Sequence, residues 1–222
     1  MIPSIALLAA LAAGTPSVST GTYRYTASID GQQAGASSIT VARDDSSTTI
    51  DESASGSLAG TAFVGKAKLV LGSDLAPLHY DGDYDIGGQR SSATASLTST
   101  SATISTSATG NKPQPVDLDT HSTHFVVIEP GLLSGLFALP AQMDAWKDAG
   151  ITVIAPAFGQ ARAIAPDAPG GAAARPADVP SGDVALTFSS APSFTIWYDP
   201  ATFVPDEIVV PSQNAIVTRV HT

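Results

Sequence analysis

Four places in the chain carry side chains of the kind that do chemistry. His121 and His124 form an H-x-x-H pair, with Glu129 the nearest acid in sequence. Zinc sites complete such a pair with a third nitrogen, sulfur or oxygen ligand at set spacing, and no such spacing is completed here. In an extended segment, positions three apart also face opposite sides, so both rings reach one ion poorly. Asp81, Asp83 and Asp85 alternate within DGDYD and have the look of the start of a calcium loop. The loop's turn glycine would fall at 86 and its bidentate Glu at 92, where this chain has Ile86 and Ser92. On a strand the three aspartates share one face, which would be the solvated one. Asp144 and Asp148 sit one helical turn apart; a carboxylate pair can do acid–base work, but exposed helical acids explain the spacing more simply. No metal, cofactor or catalytic residue is assigned from these groups.

Ser134 is the fourth. It lies in HFVVIEPGLLSGLFALPAQMDAWKDAGITVIAPAFG, which has strand–helix–strand order and faintly resembles the opening of an α/β-hydrolase. A hydrolase of that type needs a G-x-S-x-G elbow followed by an acid and a histidine. Gly131–Gly135 has the wrong spacing, and only His221 follows near the end of the chain. An esterase is therefore kept as an alternative rather than the main reading.

The segment around Ser134 is also the best helical pattern in the chain. Leu132, Leu136 and Leu139 follow one helical face, with Leu133 and Phe137 beside them. Pro140 lacks an N–H and clashes with the preceding turn, so a break or kink is expected near Leu139, with a second short helix over Ala141–Asp148. Gly150 is the expected left-handed stop. Apolar strands are expected on either side, Phe125–Ile128 and Ile151–Ala155.

Almost everything else reads as strand or turn. Tyr23–Ile29, Ser37–Arg43 and Thr48–Ser53 alternate as a meander of hairpins around Asp30-Gly31 and Asp44-Asp45-Ser46. Thr61–Leu71 and Leu78–Ile86 follow, then a Gly87-Gly88 turn. The Ser/Thr/Ala tract Ser91–Thr109 is read as two strands of small side chains, with a low-complexity linker as the alternative. Gly110–Thr120 is read as loop, and Pro156–Pro180 as a long loop divided by a strand at Gln160–Ile164. Val184–Phe188, Phe194–Tyr198, Glu207–Val210 and Ala215–Val220 close the chain, with Pro205 and Pro211 pointing to edges or junctions rather than a central strand.

Composition narrows the functions. Across 222 residues the net charge is −10 and there is no cysteine. The acidic balance and lack of a Lys/Arg cluster argue against nucleic acid, and against electrostatic docking on an anionic membrane. The missing cysteines exclude disulfides and thiolate chemistry. Met1–Thr20 carries no charged side chain. Its apolar run Ile5–Ala13 is too short to span a bilayer, and Ala10-Leu11-Ala12 offers small residues for a signal peptidase. Residues 1–20 are therefore expected to be a leader and 21–222 one domain, periplasmic or secreted.

Two segments resemble a known group of proteins. TYRYTASIDGQQAGASSITVARD has an aromatic strand, a Gly-containing turn and a second strand. FTIWYDPATFVPDEIVVPSQNAIVTRV has a Trp-Tyr-Asp strand end, a Pro-containing turn and a closing hairpin. With the late apolar helix, they resemble bacterial periplasmic families of unknown function whose fold is similar to the lipoprotein-localisation-factor half-barrel. The resemblance implies a concave apolar surface able to hold an acyl chain, and carries over no catalytic residue. The expected fold is mainly β, a strongly curved antiparallel half-barrel around one kinked helical segment. The expected function is a monomeric, non-catalytic carrier of an apolar, lipid-like molecule, with Leu132, Leu136, Phe137 and Trp146 as pocket candidates. The alternative of the same class of fold is a structural or interaction protein with a filled core.

Overall fold

The computed structural model describes residues 16–58, 60–147, 149–168, 174–190 and 193–221. The leader's apolar run and Asp148 lie outside the described residues. Among the described residues the chain is mainly β, with fifteen strands and one α-helix. Eight strands run first: β1 (Gly21–Ile29), β2 (Gln32–Arg43), β3 (Ser47–Leu58), β4 (Thr61–Gly72), β5 (Pro77–Ile86), β6 (Gln89–Leu97), β7 (Ser101–Thr106) and β8 (Gln114–Asp117). Then come β9 (His124–Val127), the helix α1 (Ser134–Trp146), β10 (Ile151–Ala155) and β11 (Gln160–Ile164). The chain closes with β12 (Val184–Phe188), β13 (Phe194–Tyr198), β14 (Pro205–Val210) and β15 (Ala215–Arg219).

Twelve strands form one sheet in the order β12-β13-β14-β15-β1-β2-β3-β4-β5-β6-β7-β8. Every neighbour in it is a sequence-adjacent hairpin partner except β15 and β1, which join the two ends of the chain in antiparallel register. Hairpins cost little loop entropy, so a meander is the inexpensive way to build so wide a sheet. The segment between β8 and β12 makes a separate three-stranded sheet, β11-β10-β9. There β9 and β10 run parallel, with α1 as their crossover.

The inner face of the large sheet is organised in rows of directly paired residues. One row runs Val41, Ile50, Leu69, Tyr80, Ala95, Ile104. All six are buried, and each large one contributes about 1.5–3 kcal/mol of burial. The next row runs Tyr23, Ile39, Glu52, Ala67, Gly82, Ala93, Thr106. Gly82 is required there: a Cβ would collide with the hydroxyls of Tyr80 and Tyr84, which meet at 2.6 Å.

Ser91–Thr109 is two strands and a 3-10 turn, as the β-branched composition predicts. Ala93, Ala95, Leu97, Ala102 and Ile104 point inward and are buried. Asp81 and Asp83 lie on the exposed face of β5, opposite Lys68 and Lys66 of β4. They form a cross-strand charge ladder.

Four expectations need correction. The helix does not split at Pro140 but continues through it to Trp146. Pro140 removes one bond, to the Leu136 carbonyl, and burial of Phe137, Ala138, Leu139, Ala141 and Met143 around it offsets that loss. The left-handed stop is Lys147 (φ 54°), not Gly150. Gly150 is glycine because a Cβ would run into the His121 carbonyl oxygen. Part of Gly110–Thr120 is strand β8, which pairs with β7 despite Pro115. It is an edge strand, where a missing N–H is tolerated. Pro205, expected at an edge or a loop junction rather than in a central strand, does sit at a junction, but the strand it opens, β14, is in the interior of the sheet; a register shift lies beside it.

Candidate functional site

The most distinctive site in the molecule is a cleft of about 510 Å3 between the two sheets and the start of α1. Its volume falls in the range of small-molecule pockets, roughly 300–1,000 Å3. One wall is the inner face of the large sheet. There the paired row Val217, Ala27, Gly35, Gly56, Phe63 crosses five strands and lines the cleft throughout. Its middle carries almost no side chain. Gly35 and Gly56 are paired so closely that a Cβ on Gly56 would strike the Ala34 carbonyl. The opening is therefore a consequence of side-chain size: Ala27, Gly35 and Gly56 line it, whereas rows further along the same face carry Ile39, Ile50, Leu69 and Tyr80. The opposite wall is Ile128–Leu133, Leu136, and the facing residues of β10 and β11.

Leu132 and Leu136 line this cleft. Leu132 is buried and packs where Gly65 leaves room for it. Phe137 turns the other way into the core, its ring 5.1 Å from Tyr23 and 6.2 Å from Tyr25. Trp146, at the far end of the helix, stacks on His124 at 4.2 Å and donates its indole N–H to the Asp74 carbonyl. The four apolar residues expected together are thus divided, two in the cleft and two outside it.

A buried carboxylate fixes the helix that roofs the cleft. Glu52 points inward from β3 and accepts the backbone N–H of Leu133 at 2.8 Å and of Ser134 at 2.7 Å. It also accepts the Ser37 hydroxyl at 2.7 Å. Leu133 is the residue before the helix and has no side-chain cap of its own. Glu52 thus supplies from a distant strand the acceptor that a Ser or Asp cap would give locally, at the positive end of the helix dipole. Burial pushes its carboxyl up, while hydrogen bonds from Ser37, Leu133 and Ser134 pull it down.

Ser134, the hydrolase candidate, is buried, and its hydroxyl as well as its N–H is directed to Glu52. Its hydrogen-bond partner is a carboxylate, not a histidine. His121 is exposed, and His124 is engaged with Trp146 and the Thr123 hydroxyl. Among the described residues no three His, Asp or Glu side chains converge on a point able to hold a metal ion.

A second buried acid, Glu129, closes the loop before α1. It accepts the Ala157 N–H at 2.5 Å, and burial pushes its carboxyl up to about 7. The Ala157 N–H and the Tyr84 hydroxyl pull the other way.

Sequence reasoning did not single out Glu52 or the glycine row. The signal for Glu52 was present: it occupies an inward position between Ile50 and Ala54 in an alternating strand. An acid there must be given donors by something else in the fold.

No family model matches the chain, and no curated protein matches it. Among solved structures it is similar to the crystal structure of a DUF1089 family protein from Pseudomonas aeruginosa. The sequence identity is 7%, the TM-score 0.48, and the match covers 80% of this chain and 90% of that one. A likeness of that depth assigns neither a family nor an activity.

Proposed function

We propose that this protein is exported to the bacterial envelope and holds an apolar, lipid-like molecule there without chemistry of its own. The observation that carries the reading is the apolar cleft of about 510 Å3 beside α1. A fully packed interaction protein has no need for a wall of Gly and Ala facing an oily helix.

The sheet is read as strongly curved, a half-barrel around the helix. In support, α1 contacts β3, β4 and β13. Between β13 and β4 lie six strand-to-strand steps, about 29 Å if laid flat at ~4.8 Å each. A helix of 13 residues is only about 20 Å long, shorter than that span, so curvature of the sheet toward it brings both contacts within reach. Export rests on the leader pattern of residues 1–20. Cleavage after Ala12 would spare Val18, which is fully buried and whose carbonyl accepts from the Arg43 guanidinium.

Native mass spectrometry of freshly purified protein, followed by organic extraction, tests the reading. A recurring co-purified lipid-like adduct is the expected result. Clean, ligand-free protein from several hosts, with no binding of a fluorescent acyl probe, would overturn it.

A further inference from the structure

The cleft's mouth names the class of ligand more closely, on the assumption that the cleft is a binding site at all. Of the described residues lining it, only Glu129 and Arg162 carry charge. Glu129 is buried, with one carboxylate oxygen accepting from the Ala157 N–H, so it is not exposed at the mouth. Arg162 is exposed and, among the described residues, pairs with no carboxylate. Its direction follows from register. Arg162 is directly opposite Val153 in the antiparallel β10–β11 pair, and paired residues share a face. Val153 is buried and lines the cleft, as do Gln160 and Ile164, two positions either side of Arg162. Along that face burial deepens from exposed Gln160 and Arg162 to buried Ile164, so Arg162 stands at the rim with an apolar interior behind it.

A second observation marks the same rim. Phe158, in the turn between β10 and β11, also lines the cleft and is 57% exposed, the highest value among the exposed large hydrophobic side chains. An exposed ring and a free guanidinium at the lip of an apolar cleft match a molecule that is oily at one end and negative at the other. The chain's net charge of −10 repels anions at long range, so the local attraction of Arg162 is what lets an anionic head settle at this one point of the mouth.

We infer that the cleft takes a single-chain amphiphile with an anionic head, the tail lying along the Ala27–Gly35–Gly56 row and the head paired with Arg162. The guanidinium offers a planar fork of donors that suits a carboxylate or phosphate oxygen pair.

The test compares dodecanoate with dodecanol by titration calorimetry on the full chain, for wild type, Arg162→Ala, Arg162→Glu and Arg162→Lys. Thermal melts confirm that each variant folds, which an exposed position should allow. Dodecanoate is expected to bind the wild type more tightly than dodecanol. It should lose about three- to tenfold in Arg162→Ala, lose more in Arg162→Glu, and recover in part in Arg162→Lys. Added salt should weaken dodecanoate binding and leave dodecanol unchanged. If both probes bind equally and no Arg162 variant alters either, the anionic-head assignment is overturned while the apolar cleft stands. If neither probe binds any variant, the cleft reading falls and this inference falls with it. A parallel titration with vesicles containing an anionic phospholipid separates a bilayer headgroup from a free amphiphile. Binding to vesicles but not to monomeric dodecanoate would overturn the single-chain form.

Discussion

Glu52 shows how one side chain can hold an element it is far from in sequence. It is more than eighty residues from the N–H groups it satisfies. Replacing it with alanine takes the acceptor from two backbone donors and from the Ser37 and Ser134 hydroxyls, all at least partly buried. The expected cost is about 2–4 kcal/mol in urea unfolding, with a smaller loss for Glu52→Gln. Glu129 gives a pH signature. Its carboxyl is raised from 4.5 to about 7, so the folded state holds that proton more tightly than the unfolded chain. Its contribution is therefore fully present below its ordinary value and is lost as pH climbs through about 7. Glu207, also pushed up to about 7 by burial, and Asp183, pushed up to about 6 by burial beside Asp206, act with the same sign. Thermal melts should show a falling midpoint between about pH 5 and about pH 8, and Glu129→Gln should flatten that slope. An unchanged slope in the variant would show that the other acids carry it.

At the scale of elements, α1 is held by close approach as much as by its apolar side chains. Gly135 lies in its first turn, and a Cβ there would fall inside the Val127 carbonyl oxygen at the end of β9. Gly135→Ala should push the helix off the small sheet and cost about 3 kcal/mol, read as a lower denaturation midpoint. The effect on the cleft should be visible separately, because Leu132 and Leu136 move with the helix. The helix pattern was legible from its leucines, and so were most strands from their alternation. β10 to β13 in particular fall at the residues their patterns predict. Pro140 misled because local chemistry says break, while burial of the surrounding turns overrides a single missing hydrogen bond. β8 was hidden by Pro115 within it and Pro113 just before it, in a short edge strand that gives little periodic signal.

At the scale of the molecule, the cleft exists because a wide sheet of small side chains faces one helix. Ala27 lines it and is only half-buried, so Ala27→Leu should fill part of it without strain. The expected result is a midpoint unchanged or raised by a few degrees, from about 0.5–2 kcal/mol of added burial, together with weaker binding of an acyl probe. Equal probe binding in this variant would place the ligand elsewhere.

The sequence alone determined the antiparallel meander, the apolar helix late in the chain, the acidic character and the absence of thiol chemistry. These are local properties: alternation, turn residues and composition act over a few positions. Which strands meet at the ends of the chain, the pairing of Gly35 with Gly56, the reach of Glu52 to the helix and the placement of Arg162 at a rim were decided only in three dimensions. Each depends on register between segments tens of residues apart. A shift by one residue there moves every side chain to the other face while leaving the local pattern unchanged.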